Sequence, residues 1–345
     1  MLACGAAAAD AGRAADAATA GACWRAPAGI DATRTLWFRF SQISTLVQSL
    51  ADRLSTVSMP PSSLSGSIGG RSRQPIASAT SATTTQRPAT EERRGTGYHS
   101  AVNPGTRPTL RIATYNVHRC RGLDGRTRPE RIAAVLSAID ADVVALQEVV
   151  GAGSNGGGHA EEIGALLGMG WVMAPARQWR GHQFGNAVLS RLPITSHIEH
   201  DLSWKTCEAR RMQRVDISAH GCSLHLYNVH LGTALLERRH QAKRLTAIVC
   251  DRHVAGPKLV LGDFNEWMRG LATSMLNEKL RSVDLRDFLP RKRTQRTYPG
   301  VFPVLHLDHI YYSGKVEVIG VELPRTRLAL VASDHLPLVA DIRIG

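Results

Sequence analysis

Short apolar segments with the pattern of β-strands, many of them closed by a polar residue, run from position 110 to the C-terminus. Residues 110–115 alternate as a half-buried strand does, and residues 143–146 have the continuous apolar pattern of a fully buried one. Helical spacing after Pro129 predicts a helix over 129–139, and a second helix is predicted over 236–250. Further strands are predicted over 186–190, 214–218, 223–230, 258–262, 309–312 and 338–344. Strands that alternate with helices in this way restrict the segment to an α/β fold.

The composition changes sharply near residue 108. Residues 1–30 are rich in Ala and Gly, and residues 59–108 in Ser, Thr, Pro, Gly and Arg, so we predict a low-complexity, mostly disordered region over 1–108 and a catalytic domain over 109–345. Within the first region, apolar residues at alternating spacings of three and four predict an amphipathic helix over 36–54. It could dock on a membrane or a partner. We favour a simpler interpretation, in which the segment is a short helix folded back on the rest of the protein or an artefact of an upstream start codon.

The charge balance points to a polyanionic partner. The 345 residues carry a formal net charge of +13 and a pI near 10.0, which favours nucleic acid, anionic phospholipid or another phosphorylated substrate. No apolar run is long enough for a transmembrane helix. Six cysteines without a C-x-x-C pair predict reduced thiols, and the missing export signal predicts a cytoplasmic protein. We expect a monomer.

Polar side chains stand where several predicted strands end or begin. The set comprises Asn116, Glu148, His230, Asp263, Asn265, Asp308, Asp334 and His335. Strand termini at one edge of a sheet lie close together, so these side chains are expected to form one cluster. Carboxylate and amide oxygens suit Mg²⁺ or Mn²⁺, and histidines beside them can donate to phosphate oxygens or act as acid or base. The residue types alone therefore predict a metal-dependent phosphohydrolase.

Seven short motifs follow one another in this part of the chain. They are TYNVH (114–118), LQEV (146–149), GNAVLS (185–190), NVHL (228–231), GDFN (262–265), LDHI (307–310) and SDHLP (333–337). The ordered series resembles the endonuclease/exonuclease/phosphatase superfamily of DNase I-like metal-dependent phosphoesterases, which includes abasic-site endonucleases, sphingomyelinases and inositol-phosphate phosphatases. The resemblance covers Leu110 to the C-terminus.

The resemblance implies a fold and a binding site. The fold is an αββα sandwich of four layers, in which two packed β-sheets are flanked by helices. Glu148 resembles the family's metal-binding glutamate, with Asn116 beside it at the metal and the phosphate. Asp334 occupies the place of a second acidic residue near the metal, and Asn265 would contact the phosphate.

The resemblance also implies the catalytic residues. Asp263 matches the aspartate that orients or activates the attacking water. His335 matches the histidine that stabilises the pentacoordinate phosphate, and Asp308 would hold its imidazole. His230 resembles the second catalytic histidine. Glu208 would orient it, although the chain reads Glu-Ala-Arg where relatives often have Glu-Pro-Arg.

Other features admit simpler interpretations. Asn186 is assigned to the scaffold, while His118 either faces the site or is a structural histidine. The basic segments at 119–131 and 291–296 could follow a phosphate backbone or an anionic bilayer, or be solvated loops. No aromatic residue is interleaved with them, which argues against a base-stacking platform. The glycine-rich stretch 151–158 is predicted to be a flexible loop near the site rather than a nucleotide cradle.

The sequence thus predicts a Mg²⁺- or Mn²⁺-dependent hydrolase of phosphodiesters, acting on nucleic acid or a phospholipid-like ester by in-line attack of water. No phosphoenzyme is expected. The alternatives are a phosphomonoesterase acting on inositol-phosphate-like substrates and a non-catalytic binding protein that retains the fold.

Overall fold

A computed structural model describes residues 108–154, 156–267, 270–289 and 295–345 of this protein. The amphipathic helix predicted over 36–54 lies outside the described residues, as does all but residue 108 of the disordered region predicted over 1–108.

The first sheet has six strands in the order β11-β12-β1-β2-β4-β3. Its strands are β1 (Leu110–Asn116), β2 (Val143–Gly153), β3 (Gly170–Trp179), β4 (His182–Ser190), β11 (Val316–Glu322) and β12 (Leu338–Ile344). Only the β1–β2 pair is parallel. Three helices accompany this sheet: α1 (Pro129–Ile139), α2 (His159–Leu167) and α6 (Arg327–Ala332).

The second sheet also has six strands, in the order β5-β6-β7-β8-β10-β9. They are β5 (Ile194–Asp201), β6 (Arg211–Ala219), β7 (Cys222–His230), β8 (Lys258–Asp263), β9 (Arg281–Ser282) and β10 (Asp308–Ser313), with β7 and β8 parallel. Its helices are α3 (Leu235–Val249), α4 (Leu271–Asn277) and the single turn α5 (Leu285–Phe288).

Three apolar clusters join these elements into four layers. One lies between the two sheets and takes residues such as Ile112 and Ala145 from the first sheet and Leu226 and Leu261 from the second. Another packs α1, α2 and α6 on the outer face of the first sheet, and a third packs α3 and α4 on the outer face of the second. The αββα sandwich predicted from the resemblance is thereby confirmed. No helix among the described residues is long and apolar enough to cross a membrane.

The predicted elements of the sandwich interior agree with the structure, and the edge strands were missed. Helix α1 and strand β12 have the predicted bounds, and the helix predicted over 236–250 is shifted by one residue. Strands β3, β5 and β11 had no prediction because each exposes many of its side chains, which removes the apolar run that marks a central strand. The loop predicted over 151–158 begins later, since β2 continues to Gly153 through irregular pairing with β4.

One glycine fixes how closely β7 and β8 approach. Gly262 has φ of 144°, and a Cβ placed on it would lie 1.9 Å from the carbonyl oxygen of Val229. Only glycine tolerates this conformation beside the neighbouring backbone. The next residue in the chain is Asp263, so the close approach places this carboxylate beside the end of β7.

Candidate active site

The polar residues predicted from strand ends meet at one edge of the sandwich. Strands β1, β7 and β8 end there, β10 begins there in the antiparallel direction, and β2 passes this edge and continues to Gly153. The edge thus collects Asn116, Glu148, His230, Asp263 and Asp308 from distant parts of the chain.

Asn116 holds two carboxylates through one amide group. Its Nδ2 donates to Asp263 Oδ2 at 3.1 Å and to Glu148 Oε1 at 3.3 Å. Its Oδ1 accepts the backbone N–H of His118 at 3.0 Å, which fixes the orientation of the amide. The structure therefore brings together the residues predicted for metal and phosphate binding from β1, β2 and β8.

A β-bulge aims Glu148 toward this cluster. Between the pairs Leu146–Ala187 and Val149–Gly185, two residues of β2 face the single residue Asn186 of β4. Glu148 has φ of 55°, a left-handed conformation that is uncommon for a glutamate and turns its side chain out of the regular alternation. Asn186 donates to the carbonyl oxygen of Arg211 at 2.9 Å and ties the two sheets, in keeping with its predicted scaffold role.

Asp263 lies at the centre of the cluster and is 1% exposed. Its Oδ1 accepts the backbone N–H of Asn265 at 2.8 Å. Its Oδ2 lies 3.6 Å from Nε2 of His230 and 3.7 Å from Nε2 of His335. Burial raises the pKa of Asp263 above that of an ordinary aspartate; the nearby Asp308 adds to this, while His335 opposes it. A carboxylate with a raised pKa is suited to accept a proton near neutral pH.

His335 and Asp308 form a buried ion pair. His335 Nδ1 lies 2.9 Å from Asp308 Oδ2, and Asp308 is fully buried. Burial opposes the charge on the imidazole, but the Asp308 and Asp263 carboxylates outweigh it and raise the pKa of His335 well above that of an ordinary histidine. His335 is therefore an imidazolium, with Nδ1 donating to Asp308 and Nε2 directed at Asp263.

His230 is held as a neutral imidazole of one tautomer. Its Nδ1 lies 3.3 Å from Nη1 of Arg210, and a guanidinium can only donate, so Nδ1 accepts and the proton resides on Nε2. Burial lowers the pKa of His230 well below its ordinary value, and the positive charges of Arg210 and His335 act in the same direction. His230 thus offers a neutral hydrogen-bond donor to the cluster.

Glu208, predicted to orient His230, reaches it through Arg210. Its Oε2 accepts from Arg210 Nη2 at 2.8 Å, and its Oε1 accepts from Arg177 Nε at 2.6 Å. The carboxylate is shared by two arginines, and only Arg210 contacts the histidine. A role for Glu208 is therefore that of a positioning residue acting through Arg210.

Asp334 lies beside His118. Asp334 Oδ1 is 3.5 Å from His118 Nδ1 and 3.4 Å from the hydroxyl of Ser333. Ser333 in turn donates to the carbonyl oxygen of Asn116 at 2.8 Å, which links this segment to β1. His118, whose sequence position was ambiguous, thus faces the site. The predicted metal ligation by Asp334 stays a prediction.

Asn265 organises the loop after β8. Its φ is 49°, and its Nδ2 donates to the carbonyl oxygen of Leu231 at 2.9 Å. This bond joins the loop after β8 to the loop after β7. The contact between Asn265 and a phosphate stays a prediction.

Sequence reasoning missed two residues of the site. Tyr298 lies with its ring centroid 4.9 Å from that of His335, and burial with the carboxylates of Asp334, Asp263 and Glu148 raises its pKa to about 12. Arg210 was overlooked although it completes the Glu-Ala-Arg triplet. Tyr298 lies in an irregular segment, and its neighbours come from four distant positions, so no local pattern indicates it.

A buried amide network supports the cluster from between the sheets. Gln147 Nε2 donates to Asn228 Oδ1 at 2.8 Å and to the Thr114 hydroxyl at 3.1 Å. Asn228 Nδ2 donates to the carbonyl oxygens of Leu146 and Ala187 at 3.0 and 2.9 Å. These bonds connect strands of both sheets directly behind Glu148 and His230, and thereby fix the two halves of the site relative to one another.

The donor set suits a hydrated divalent cation. Among the described residues, no group of three or more His, Cys, Asp or Glu side chains is placed to hold a metal ion by itself. Glu148 and Asn116 instead offer a carboxylate and an amide, with Asp263 next to them and Tyr298 surrounded by three carboxylates. Mg²⁺ is commonly bound in this way, by one or two carboxylates together with water and substrate phosphate oxygens. The residues therefore fit Mg²⁺ or Mn²⁺ and do not fit a structural zinc ion.

A cavity of about 430 Å³ lies elsewhere, between β10, α4 and α5. Glu266, His306, His309 and Tyr311 are among its lining residues, and no residue of the catalytic cluster lines it. Burial lowers the pKa of both histidines, which are neutral. The candidate active site is thus identified by the chemistry of its side chains and not by the size of a cavity.

The comparison with known protein families decides the assignment. A model of the Endonuclease/Exonuclease/phosphatase family matches residues 113–335, which include all of the cluster described above. This chain belongs to that family. Its members are hydrolases of phosphate esters and generally use divalent metals.

Individual relatives agree with the family. The chain is 31% identical over 255 residues to the uncharacterized protein YbhP of Escherichia coli K12, covering 68% of this chain and 97% of the relative. A family member from Bacteroides vulgatus has a similar structure, with a TM-score of 0.58 and 18% identity over 69% of this chain and 100% of that one. A mannosyl-6-phosphatase from Bacteroides thetaiotaomicron has a TM-score of 0.55 and 17% identity over 68% of this chain and 99% of that one. At these identities the two structures establish the fold alone.

The four cysteines in the described part of the chain are free, in line with the prediction of reduced thiols. Of the basic segment at 291–296, residues 291–294 lie outside the described ranges. In the segment at 119–131, Arg131 pairs with Asp124, whereas Arg119 lies over the ring of Trp179. Strand β3 thus brings an aromatic residue next to this basic segment from sixty residues further along the chain.

Proposed function

We propose that this protein is a divalent-metal-dependent phosphodiesterase in which Asp263 activates water. The observation that carries the proposal is the position of Asp263 Oδ2, which lies within 4 Å of Asn116 Nδ2 and of the Nε2 atoms of both histidines. A buried carboxylate with two imidazole donors beside it can accept a proton from water and stabilise the phosphate on which that water acts.

The environments of the two histidines determine what each can donate during the reaction. Water attacks phosphorus in line with the leaving oxygen and gives its proton to Asp263, as the oxygen–phosphorus bond forms and the bond to the leaving group breaks. His335, an imidazolium, can supply a proton to the leaving oxygen through Nε2. His230 is neutral and donates only a hydrogen bond to a phosphate oxygen. Mg²⁺ or Mn²⁺ held by Glu148 and Asn116 would supply further stabilisation of negative charge.

The charge of the site favours a phosphodiester over a phosphomonoester. Among the described residues that form the cluster, His335 and Arg210 are cations that each pair with a carboxylate, and His230 is neutral. Two cations that are already paired, together with a metal, match the single negative charge of a diester better than the double charge of a monoester. No phosphoenzyme is expected, because the Ser333 hydroxyl is committed to the carbonyl oxygen of Asn116.

The test compares model diesters and monoesters. Full-length protein is assayed on bis(p-nitrophenyl) phosphate and p-nitrophenyl phosphate with Mg²⁺ or Mn²⁺, with and without EDTA. Supercoiled plasmid, mixed phospholipid vesicles and inositol phosphates extend the panel. We expect metal-dependent diester hydrolysis that falls at least a hundredfold in Asp263→Asn and His335→Gln.

A matched control separates catalysis from folding. Asp216 is a buried aspartate that pairs with His225 Nδ1 at 2.6 Å, on the second sheet and outside the cluster. Asp216→Asn should keep its activity. Preferential monoester hydrolysis would favour the phosphatase alternative, and metal-independent binding without any turnover would favour the non-catalytic one. A cytoplasmic location and a monomeric state belong to the same proposal, and fractionation and light scattering test them.

A further inference from the structure

A second basic feature lies beside the active site and is not used by the mechanism above. It consists of Arg119, Trp179 and Arg180, here called the arginine–tryptophan rim. The guanidinium carbon of Arg119 lies 5.6 Å from the centroid of the Trp179 ring, and that of Arg180 lies 4.8 Å from it. Arg119 belongs to the short turn after β1, and Arg180 to the tight turn between β3 and β4.

The rim is linked to the active site through His118. A guanidinium nitrogen of Arg119 contacts the ring of His118, whose backbone N–H donates to Asn116 Oδ1 at 3.0 Å. The β3–β4 hairpin also contacts the site through Arg177, which stacks over Phe184. Arg177 pairs with Glu208, and Glu208 is also the carboxylate partner of Arg210. The hairpin that carries the rim thus forms one wall of the site.

The charges of the rim lack protein counterions. Most arginines near the site pair with a carboxylate, as Arg177 and Arg210 do with Glu208 and Arg131 does with Asp124. Arg119 and Arg180 have no carboxylate within 4.0 Å in the part of the chain that the structure describes. A guanidinium that lies over an indole ring keeps its N–H groups directed outward, where they can bind a phosphate bidentately.

We propose that the arginine–tryptophan rim binds a phosphate of a nucleic acid strand next to the scissile phosphodiester. The proposal rests on the proposed function and names its substrate class. A nucleic acid strand carries further phosphates on the same molecule, and two adjacent guanidiniums without counterions are suited to such a neighbouring charge. Because two guanidiniums lie over the indole, the rim presents positive charge beside the ring, and a lipid is the less suitable occupant. Trp179 is a positioning residue, since it holds the guanidiniums and contributes no charge.

The test measures binding without turnover. A fluorescein-labelled single-stranded oligonucleotide is titrated with the full-length protein in EDTA, and fluorescence anisotropy is followed from 50 to 300 mM salt. We expect Arg119→Gln and Arg180→Gln each to reduce the slope of log K against log salt by about 0.7, the loss of roughly one phosphate contact. Trp179→Leu should weaken binding severalfold although it removes no charge. Arg343→Gln, which removes a half-buried arginine paired with Glu317 on the distant β11–β12 ribbon, should leave both the slope and the affinity unchanged.

A second measurement distinguishes this proposal from the proposed function. With metal present, the ratio of kcat/KM for the oligonucleotide to that for bis(p-nitrophenyl) phosphate should fall at least tenfold in the rim variants, while in Arg343→Gln it stays that of the wild type. Unchanged salt slopes in both Arg119→Gln and Arg180→Gln would overturn the rim proposal even where hydrolysis is robust. Rim-dependent binding to phosphatidylglycerol vesicles, without rim-dependent binding of the oligonucleotide, would overturn the assignment to nucleic acid. Rim-dependent oligonucleotide binding without hydrolysis of any diester would refute the proposed function and leave the rim proposal standing.

Discussion

Replacement of Asp308 by asparagine removes one charge from the centre of the site and nearly preserves its shape. Asp308 is fully buried, and its Oδ2 accepts from His335 Nδ1 at 2.9 Å. The asparagine oxygen can accept the same hydrogen bond, so the orientation of the ring is retained. What the substitution removes is the negative charge that stabilises the imidazolium.

The size of the effect follows from Coulomb's law. Two unit charges about 4 Å apart interact by about 4 kcal/mol at an effective dielectric constant of about 20. Since about 1.4 kcal/mol corresponds to a change of one in pKa, the substitution lowers the pKa of His335 by about three. Burial, which already opposes the charge, then dominates. We expect the basic limb of the kcat/KM profile for a model diester to move down by about three pH units, with activity falling about tenfold per pH unit above it.

The assay is a pH profile of kcat/KM for wild-type protein, Asp308→Asn and the control Asp216→Asn. The titration of ¹³C-labelled His335, followed by NMR, reports the same pKa without any need for turnover. Asp216→Asn should keep the wild-type profile because its histidine lies outside the cluster. A loss of activity in Asp308→Asn that is the same at every pH, with an unshifted His335 titration, would refute the assignment of His335 as an imidazolium held by Asp308.

Three further predictions concern metal binding and stability. Glu148→Gln should weaken the binding of Mn²⁺, measured by calorimetry, at least tenfold, because it removes the carboxylate that the bulge directs at the site; equal affinities would exclude Glu148 as a ligand. Asn228→Ala should lower the free energy of unfolding in urea by about 3 kcal/mol, since it removes three buried hydrogen bonds, two to the carbonyls of Leu146 and Ala187 and one from the amide of Gln147; a loss below about 0.5 kcal/mol would show that water replaces these bonds. Burial opposes the charge on Asp216, but Arg214 and His225 outweigh burial and lower the pKa of Asp216. Asp216 therefore stabilises the fold at pH values above the ordinary aspartate pKa of about 3.9. This stabilisation is lost as the pH falls through the depressed pKa. The difference in unfolding free energy between wild type and Asp216→Asn should therefore be constant above about pH 5 and shrink below about pH 4; a constant difference down to pH 2 would contradict this account.

Local patterns predicted most of the sandwich interior. Helix α1 and strand β12 have the bounds expected from their apolar spacing, and the strands that end in Asn116 and Asp263 lie where their apolar runs stop. The apolar spacing of a buried strand or an amphipathic helix reflects which of its faces is buried, so each of these elements can be predicted from its own residues. The edge strands β3 and β5 lack that signature because water covers much of them.

The residue types at the polar ends of the predicted strands are legible in the sequence, and they indicate the class of chemistry that the site can perform. The carboxylates, amides and imidazoles predicted for the site do meet at one edge, because parallel and antiparallel neighbours deliver their polar ends to the same place.

How those groups are charged, and what surrounds them, depends on the tertiary structure. The neutral state of His230 depends on its burial and on Arg210, the positive charge of His335 depends on Asp308, and Tyr298 enters the site from an irregular segment. Arg119 and Trp179 are sixty residues apart in the chain and in contact in the fold. A pKa and a ring contact depend on distances between residues that are remote in sequence, and no local pattern records those distances.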